Sequence, residues 1–592
     1  MYSKKGSLDQ PRATLLRTSS HEFSRVSIRS TVAVLLLVLA ILVPRMMSLN
    51  RLVTPDEARW LTRSANFNYA LTRGSLTDTY QVEHPGVLTM WTGMFAFASH
   101  YPTYSDQVTG ELNQWGDFLG EFLRSRGYHP MDLLVASRVN MVILITAVLI
   151  VAFWTASRLL SFWPALIGFL LIAFDPFHTA LSRLLHVDGL PSSLALLSLL
   201  PFFNYLYRGR QKKDLVLSGV AAGLAWLTKS PMLFLVPFVG LLLSLELVEK
   251  WRSGSRLTHR DLWQSAVPLI LWGSVGLAVF VLLWPSMWVD PVHTLRRMLG
   301  GMVMYAGQGH DSQLYFNGEV YEGDPGASFY PITYLWRTTP VVLIGLVLAA
   351  LALAFPRAGL IPSTNRRPLG MLLLFALLFT IFMTLGAKKF DRYLLPIYPP
   401  LDLVAGVGWV AAVSWIRRQS SQYWTQAVAP AILLVALAGQ AVGTISSSPY
   451  YFSYYNPLWG GTPRAPAVMM VGWGEGLDQA ARFLNNQPGA ANRQVATGIW
   501  STTFSYFYDG PVVSTRFEPG AGVVEDWVDS YYYVLYINEK QREKISPELA
   551  DYFAALKPVQ VVRINGLDYV YIYDIHDLPP PAFIHSSPGT PG

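Results

Sequence analysis

The chain has 592 residues, 52% of them hydrophobic and 14% charged, with a formal net charge of +7. Soluble domains carry roughly 25% charged residues, so a soluble multi-domain protein is excluded and lipid must solvate most of the chain. The basic residues fall in short connections between apolar runs, a pattern that orients a bilayer protein and offers nothing to nucleic acid. With no cysteine, disulfides, thiolate metal sites and a Cys nucleophile are excluded as well.

Taken in chain order, Lys4, Lys5, Arg12, Arg17, Arg25 and Arg29 precede the apolar run TVAVLLLVLAILV. No small-residue cleavage site follows that run, so it reads as a retained first span behind a cytoplasmic tail, residues 1–29. A spanning helix needs about 20 mainly apolar residues. Candidate spans lie at 30–49, 133–157, 161–177, 188–206, 214–229, 231–248, 263–284, 335–355, 369–386, 393–415 and 426–445, eleven in all. The 214–248 stretch is divided at Lys229-Ser230-Pro231, because a proline disfavours helix in the residue before it. With the tail inside, the clusters around Arg158, Arg208–Lys213, Lys250–Arg260, Arg366 and Arg417 all fall inside too, as the positive-inside rule requires. Merging the divided pair would put the last three clusters outside.

The predicted fold is therefore a polytopic α-helical membrane protein, with a transmembrane domain over 30–445. Its outer side receives the first loop 50–132, the turn near 178–188, the loop 285–334 and everything after about 446. In the first loop, DEARWLTRSANFNYALTRG predicts a helix lying on the surface, with Trp60, Phe67 and Leu71 near one face and Arg59, Arg63 and Asn66 toward polar groups. HPGVLTMWTGMFAFASHY predicts a second interfacial helix. Beyond 446, RQVATGIW, YYYVLYINE, KPVQVVRI and LDYVYIYDI read as strands, and Asn565-Gly566 is a two-residue hairpin signal. VMMVGWGEGLDQAARFLNN reads as strand, glycine turn and helix. These elements predict a small mixed α/β extracytoplasmic domain over 446–578, followed by a disordered tail, 579–592.

Ionisable residues at membrane ends are costly to dehydrate and merit a functional hypothesis. The topology gathers Asp56-Glu57, Glu83-His84-Pro85, Asp175, His178, Arg183, His186, Asp188, Lys229, Lys388, Lys389, Asp391 and Arg392 in one outer layer. Such a layer suits group transfer from a lipid phosphate. A carboxylate accepts the proton of an attacking hydroxyl, and Lys and Arg neutralise the departing phosphate. Asp56 and Glu57 have a plainer reading as the first turn of an interfacial helix, and Lys229 could simply snorkel from a helix end. His84, His178 and His186 with Asp188 match no tight ligand spacing, so a divalent metal is left open. GWGEG is no dinucleotide fingerprint, because its third glycine falls one residue too early.

The ordered motifs resemble the membrane-embedded GT-C glycosyltransferases, in particular the protein O-mannosyltransferase group and the related lipid A aminoarabinose transferases. Asp56-Glu57 looks like their first-loop acidic motif and Glu83-His84-Pro85-Gly86 its continuation, although relatives usually have a second proline where this chain has Gly86. LLHVDGLPSSLAL, LTKSPMLFLVP and KKFDRYLLPIYPPLDLVAG complete the series, over about residues 30–415. The resemblance implies a polyprenyl-phosphate-linked sugar as donor and co-substrate, and a hydroxyl on protein, glycolipid or polymer as acceptor. It further implies inversion at the anomeric carbon and a bacterial cell-envelope setting in the plasma membrane. It makes Asp56 the general base, with Glu57 and Asp188 the other catalytic carboxylates. Lys229, Lys388, Arg392 and Arg183 become donor-phosphate ligands, while Glu83, His84 and His186 shape the acceptor pocket or hold neighbours. A transporter or lipid flippase is the alternative. Transporters place broken helices near the midplane, often in repeated halves, and this chain has no evident repeat.

Overall fold

The computed structural model describes residues 28–309, 313–419, 422–518 and 522–585. Nearly all of the expected N-terminal tail and the last seven residues of the expected C-terminal tail lie outside the described residues.

Helices occupy all eleven expected positions: Ile28–Met46, Pro130–Leu160, Phe162–Ala173, Gly189–Tyr207, Lys212–Thr228, Leu235–Arg252, His259–Leu283, Pro340–Ala354, Ser363–Thr384, Tyr398–Gln419 and Tyr423–Ile445. Among the described residues, seven spans are long and apolar enough to cross a membrane. An eighth appears if Phe329–Arg337 and Pro340–Ala354, bent by 112° at their junction, count together. Length and composition alone thus single out seven or eight of the eleven expected helices. The 12 residues of Phe162–Ala173 rise only ~18 Å at 1.5 Å each, against a hydrocarbon core of ~30 Å.

Gly189–Tyr207 is buried along its whole apolar window and forms the bundle's axis. Beside it, Tyr398–Gln419 presses backbone to backbone on two neighbours. A Cβ at Gly406 would strike the Gly168 backbone, and one at Gly408 would strike the Gly345 carbonyl. The division at Lys229 is real: Lys212–Thr228 runs one way, a 3-10 turn follows at Ser230–Phe234, and Leu235–Arg252 returns. Arg210 meets Glu246 at 2.7 Å because of that return. The same end of the bundle gathers the other basic connections, with Arg158 bidentate on Asp214 (2.7 and 2.9 Å) and Arg208 on Asn365.

The first loop folds into helices Pro55–Arg73 and Val87–His100. The former does not lie open on a surface. Asn66 exchanges hydrogen bonds with the Leu112 backbone, at 3.0 and 2.9 Å, so the following chain covers the helix and Arg63 is buried with Trp60 and Phe67. The second loop holds helix Pro291–Gly307 and a hairpin that the sequence reading did not name, β1 (Leu314–Phe316) with β2 (Glu319–Tyr321). Its turn is Asn317-Gly318, both at positive φ.

The C-terminal region carries a five-stranded sheet of β3 (Gln494–Thr497), β4 (Val512–Ser514), β5 (Ser530–Tyr536), β6 (Gln560–Ile564) and β7 (Leu567–Asp574), in the order β4-β3-β5-β7-β6. β3 is parallel to both neighbours, and β7 is antiparallel to both of its own. Asn565-Gly566 makes the β6–β7 turn as expected, at φ 49° and 84°. No strand forms over 468–473, because those backbone groups are taken by side chains: Val471 N–H donates to Gln541 at 2.8 Å and Trp473 N–H to Glu475. The expected disorder after 578 also begins too early, since Ile584 is buried in the sheet's outer core.

Candidate active site

Thr54 caps the Pro55–Arg73 helix, with its hydroxyl accepting from Glu57 N–H while the Glu57 carboxylate accepts from Thr54 N–H at 3.1 Å. That reciprocal box sends the two adjacent acids in different directions. Glu57 is 0% exposed and takes both prongs of the Arg138 guanidinium at 2.7 and 2.6 Å, plus Leu185 N–H at 3.0 Å. Arg138 also donates to the carbonyls of Leu49, Arg51 and Leu52. Glu57 therefore staples the first loop to the Pro130–Leu160 helix and does not reach the cavity, which corrects its expected catalytic place.

Asp56 faces a cavity of about 550 Å³. Its side chain is 26% exposed and meets His186 Nε2 and Arg392 at 3.3 Å each, with Arg59 at 3.7 Å. Burial alone would raise the Asp56 carboxyl. The His186 hydrogen bond and the Arg392 and Arg59 charges outweigh it and hold the group far below the usual carboxylate range. His186 bridges: its Nδ1 lies 3.1 Å from Asp188. Burial would lower the imidazole, but the Asp188 and Asp56 carboxylates raise it above its ordinary value. Asp188, 2% exposed, sits behind the cavity wall among Lys229, His186 and Arg392. Desolvation is overcome there by Lys229 and His186, which keep Asp188 ionised. It is a counter-charge that positions those three cations, and the catalytic place expected for it is corrected accordingly.

The cavity wall carries Arg59, Arg63, Lys229, Lys388, Arg392 and Arg542 against the carboxylates Asp56 and Glu83. This surplus suits an anion. Among the described residues, no group of three or more His, Asp or Glu converges as a metal site. His178, expected nearby, is instead buried against Arg45 and Ser193.

An apolar groove of about 340 Å³ adjoins this cavity, lined by Met302, Val303, Ala306, Phe382, Met383 and Leu385 among others. Five residues line both spaces: His84, Lys229, Tyr305, Lys388 and Tyr393. Lys229 Nζ lies 4.0 Å from the Tyr393 ring centre and Lys388 Nζ 5.0 Å from that of Tyr305. The His84 ring stacks on Tyr305 at 4.7 Å. Burial and the Lys229 and Arg63 charges push His84 down to about 3, so it stands neutral at the junction. Lys229 is thus held by Asp188 at the junction rather than snorkelling to open water.

Arg183 is the expected ligand that the structure places elsewhere. Its guanidinium donates to the carbonyls of Met47 and Pro449 and lies over Tyr451, tying the first helix to the C-terminal region. Several lining residues were not singled out for chemistry. Arg59 and Arg63 follow Asp56 at helical spacings of three and seven, a signal that was available. Tyr305 and Arg542 carried none. Trp473, from the GWGEG segment, packs edge-on against His186 at 5.2 Å and under Arg392 at 4.5 Å. Gly474 has φ 116° and lies so close to the Val53 carbonyl that no side chain fits. Arg542, anchored to the Gln313 carbonyl at 2.6 Å and to Asn538 at 3.2 Å, is the C-terminal domain's contribution to the cavity wall.

Residues 132–284 match the family described as dolichyl-phosphate-mannose-protein mannosyltransferase, well under half of the chain. No curated protein matches the sequence. Among solved structures, apo ArnT from Cupriavidus metallidurans is similar at 15% identity and a TM-score of 0.47, covering 93% of this chain and 100% of that one. The Archaeoglobus fulgidus oligosaccharyltransferase in its apo form is similar at 10% identity and 0.45, covering 86% and 70%. The Saccharomyces cerevisiae Pmt1-Pmt2 complex bound to the sugar donor is similar at 18% and 0.35, covering 46% and 35%.

Proposed function

We propose that this cavity is the active site of a membrane glycosyltransferase moving a sugar from a polyprenyl-phosphate carrier to a hydroxyl acceptor. One observation carries the reading: an apolar groove on the bundle's flank opens, across Lys229 and Lys388, into a cationic cavity with an ionised carboxylate at its far wall. A lipid chain fits the groove, a phosphate fits the junction, and a sugar fits the cavity beyond. The motif series and the family matched over 132–284 support transfer over the transporter alternative.

In this reading the acceptor oxygen attacks the anomeric carbon while the bond from that carbon to the phosphate oxygen breaks. The electron pair leaves with the polyprenyl phosphate, and the configuration inverts. Asp56 accepts the hydroxyl proton. Lys229 and Lys388 neutralise the charge that builds on the phosphate, at fixed positions and without reorganisation. Arg392 is shared between Asp56 and Asp188 before the donor arrives. A phosphate beside it competes for the guanidinium and lets Asp56 return toward its ordinary basicity. Glu83 and His84 line the cavity near the sugar. In this orientation the site and the C-terminal domain face away from the cytoplasm.

The test is transfer from a radiolabelled polyprenyl-phosphate sugar pool to an envelope extract by the purified protein in lipid. Asp56→Asn must abolish transfer with the fold retained. Full turnover by that variant would remove Asp56 from the mechanism.

A further inference from the structure

At the end of the bundle away from the active site, a second groove opens between two helices. It holds about 840 Å³ and is lined by Pro340–Ala354 on one side and Tyr398–Gln419 on the other. Trp415, on its wall, lies ~25 Å along the helix axis from Tyr398, which follows the segment carrying Arg392. The proposed reaction does not reach it.

The packing of the two helices makes the groove. They touch backbone to backbone at Gly345, Ala349 and Gly408, where a Cβ on Gly408 would strike the Gly345 carbonyl. One turn further on, that contact gives way to a space floored by Ala352 and Ala411, both buried. Leu351, Phe355 and Trp415 also line it and are exposed. A floor of small side chains between large exposed ones is a slot for a hydrocarbon chain.

The mouth of the slot is cationic. Beyond Phe355 the chain makes a 3-10 turn, Pro356–Ala358, and Arg357 of that turn lines the groove. Two more guanidiniums converge on the same turn. Arg366 donates to the Pro356 carbonyl at 2.6 Å, and Arg418 to those of Ala358 and Gly359 at 2.9 and 3.2 Å. Carbonyls accept these protons but cancel no charge. The carboxylates at this end are committed elsewhere: Asp214 to Arg158, Glu246 to Arg210, Glu249 to Arg367 and Asp261 to Lys250. Among the described residues, no acid lines the groove, and Arg357, Arg366 and Arg418 make no ion pair. A basic connection that only orients the chain needs no slot beneath it. Basic pockets between membrane helices are where anionic headgroups bind. A zwitterionic headgroup brings its own cation, whereas an anionic one leaves its phosphate charge to the arginines.

We infer that this groove binds one anionic phospholipid of the adjoining leaflet, with its phosphate at Arg357 and an acyl chain between the two helices. Arg366 and Arg418 hold the turn in place and add to the positive field. The chain fills a space that helix packing leaves open.

The test is native mass spectrometry of the delipidated full-length protein, with dioleoyl phosphatidylglycerol or dioleoyl phosphatidylcholine added at equal concentration. Saturable retention of one phosphatidylglycerol, several-fold above phosphatidylcholine, is expected. Arg357→Gln, at an exposed residue, should weaken that retention about five-fold, the worth of one arginine beside an anionic lipid. Ala412→Phe fills the slot from its half-buried wall and should weaken it similarly while leaving every charge in place. Equal retention of the two phospholipids by the parent would overturn the assignment. Retention unchanged in either variant would overturn it too, because the lipid would then sit elsewhere. Displacement of phosphatidylglycerol by equimolar inorganic phosphate would leave an anion patch and no lipid site. Displacement by one equivalent of polyprenyl phosphate would give the groove to the carrier lipid instead, and the phospholipid would be wrong.

Discussion

Glu57→Gln separates the two adjacent acids most sharply. The substitution leaves the Arg138 guanidinium, whose side chain is 1% exposed, facing a neutral amide in place of the carboxylate it now grips at 2.6 and 2.7 Å. Breaking one side of such a buried pair costs ~3–5 kcal/mol, because the survivor is a desolvated charge. The three carbonyls that Arg138 also binds relieve only part of this. Unfolding in mixed micelles, followed through the fluorescence of the 19 tryptophans, reads the loss. Glu57→Gln combined with Arg138→Met should recover much of it, since neither residue then leaves a stranded charge. Asp56→Asn, at a cavity wall with 26% exposure, should cost less than Glu57→Gln in the same titration. If Glu57→Gln unfolds within about 1 kcal/mol of the parent, against the ~3–5 expected, the staple reading is wrong.

Asp56→Asn should lower transfer by at least the ~10²–10⁴-fold that a positioned base contributes, with donor binding retained in a polyprenyl-phosphate pull-down. Lys388→Ala should raise the apparent donor KM, and an unchanged KM would take Lys388 out of the phosphate site. For pH, the lowered Asp56 and Asp188 carboxyls contribute in full above the ordinary carboxylate range and lose that contribution progressively as pH falls from there toward their lower folded values. The raised His186 works the other way: its contribution is complete below an ordinary imidazole value of about 6.5 and lost as pH climbs through the higher folded value. The unfolding midpoint should therefore fall on the alkaline side, and His186→Asn should flatten that limb. Gly474→Ala meets both a positive φ and the Val53 carbonyl. It should loosen the C-terminal domain, seen as faster proteolysis between that domain and the bundle.

The positions of the helices were legible because hydrophobic runs and proline breaks are local. Their lengths were less so, since Phe162–Ala173 reads as apolar as any neighbour yet has only 12 residues. The division at Lys229 came from Pro231 and passed the count of charges, and the Arg210–Glu246 contact follows from it. The Asn565-Gly566 hairpin was legible for the same local reason, whereas the missing strand at 468–473 was not. Its backbone partners are Gln541 and Glu475, and the choice of side chain over sheet is made in space. The same holds for GWGEG, a glycine turn in sequence and a wedge against His186 and Arg392 in the fold.

The sequence by itself determined that this is a membrane protein, roughly where along the chain its helices lie, and which acids and bases share one end of the bundle. Composition, periodicity and charge placement are properties of short stretches, and lipid as solvent leaves them little freedom. Only the tertiary structure decided which of those groups face the cavity. Asp56 and Glu57 are neighbours in the chain with the same chemistry. One turn of helix, a capping box and Arg138 send Glu57 into the protein and leave Asp56 before Arg392 and His186. That division depends on residues 81 and 336 positions away in the chain.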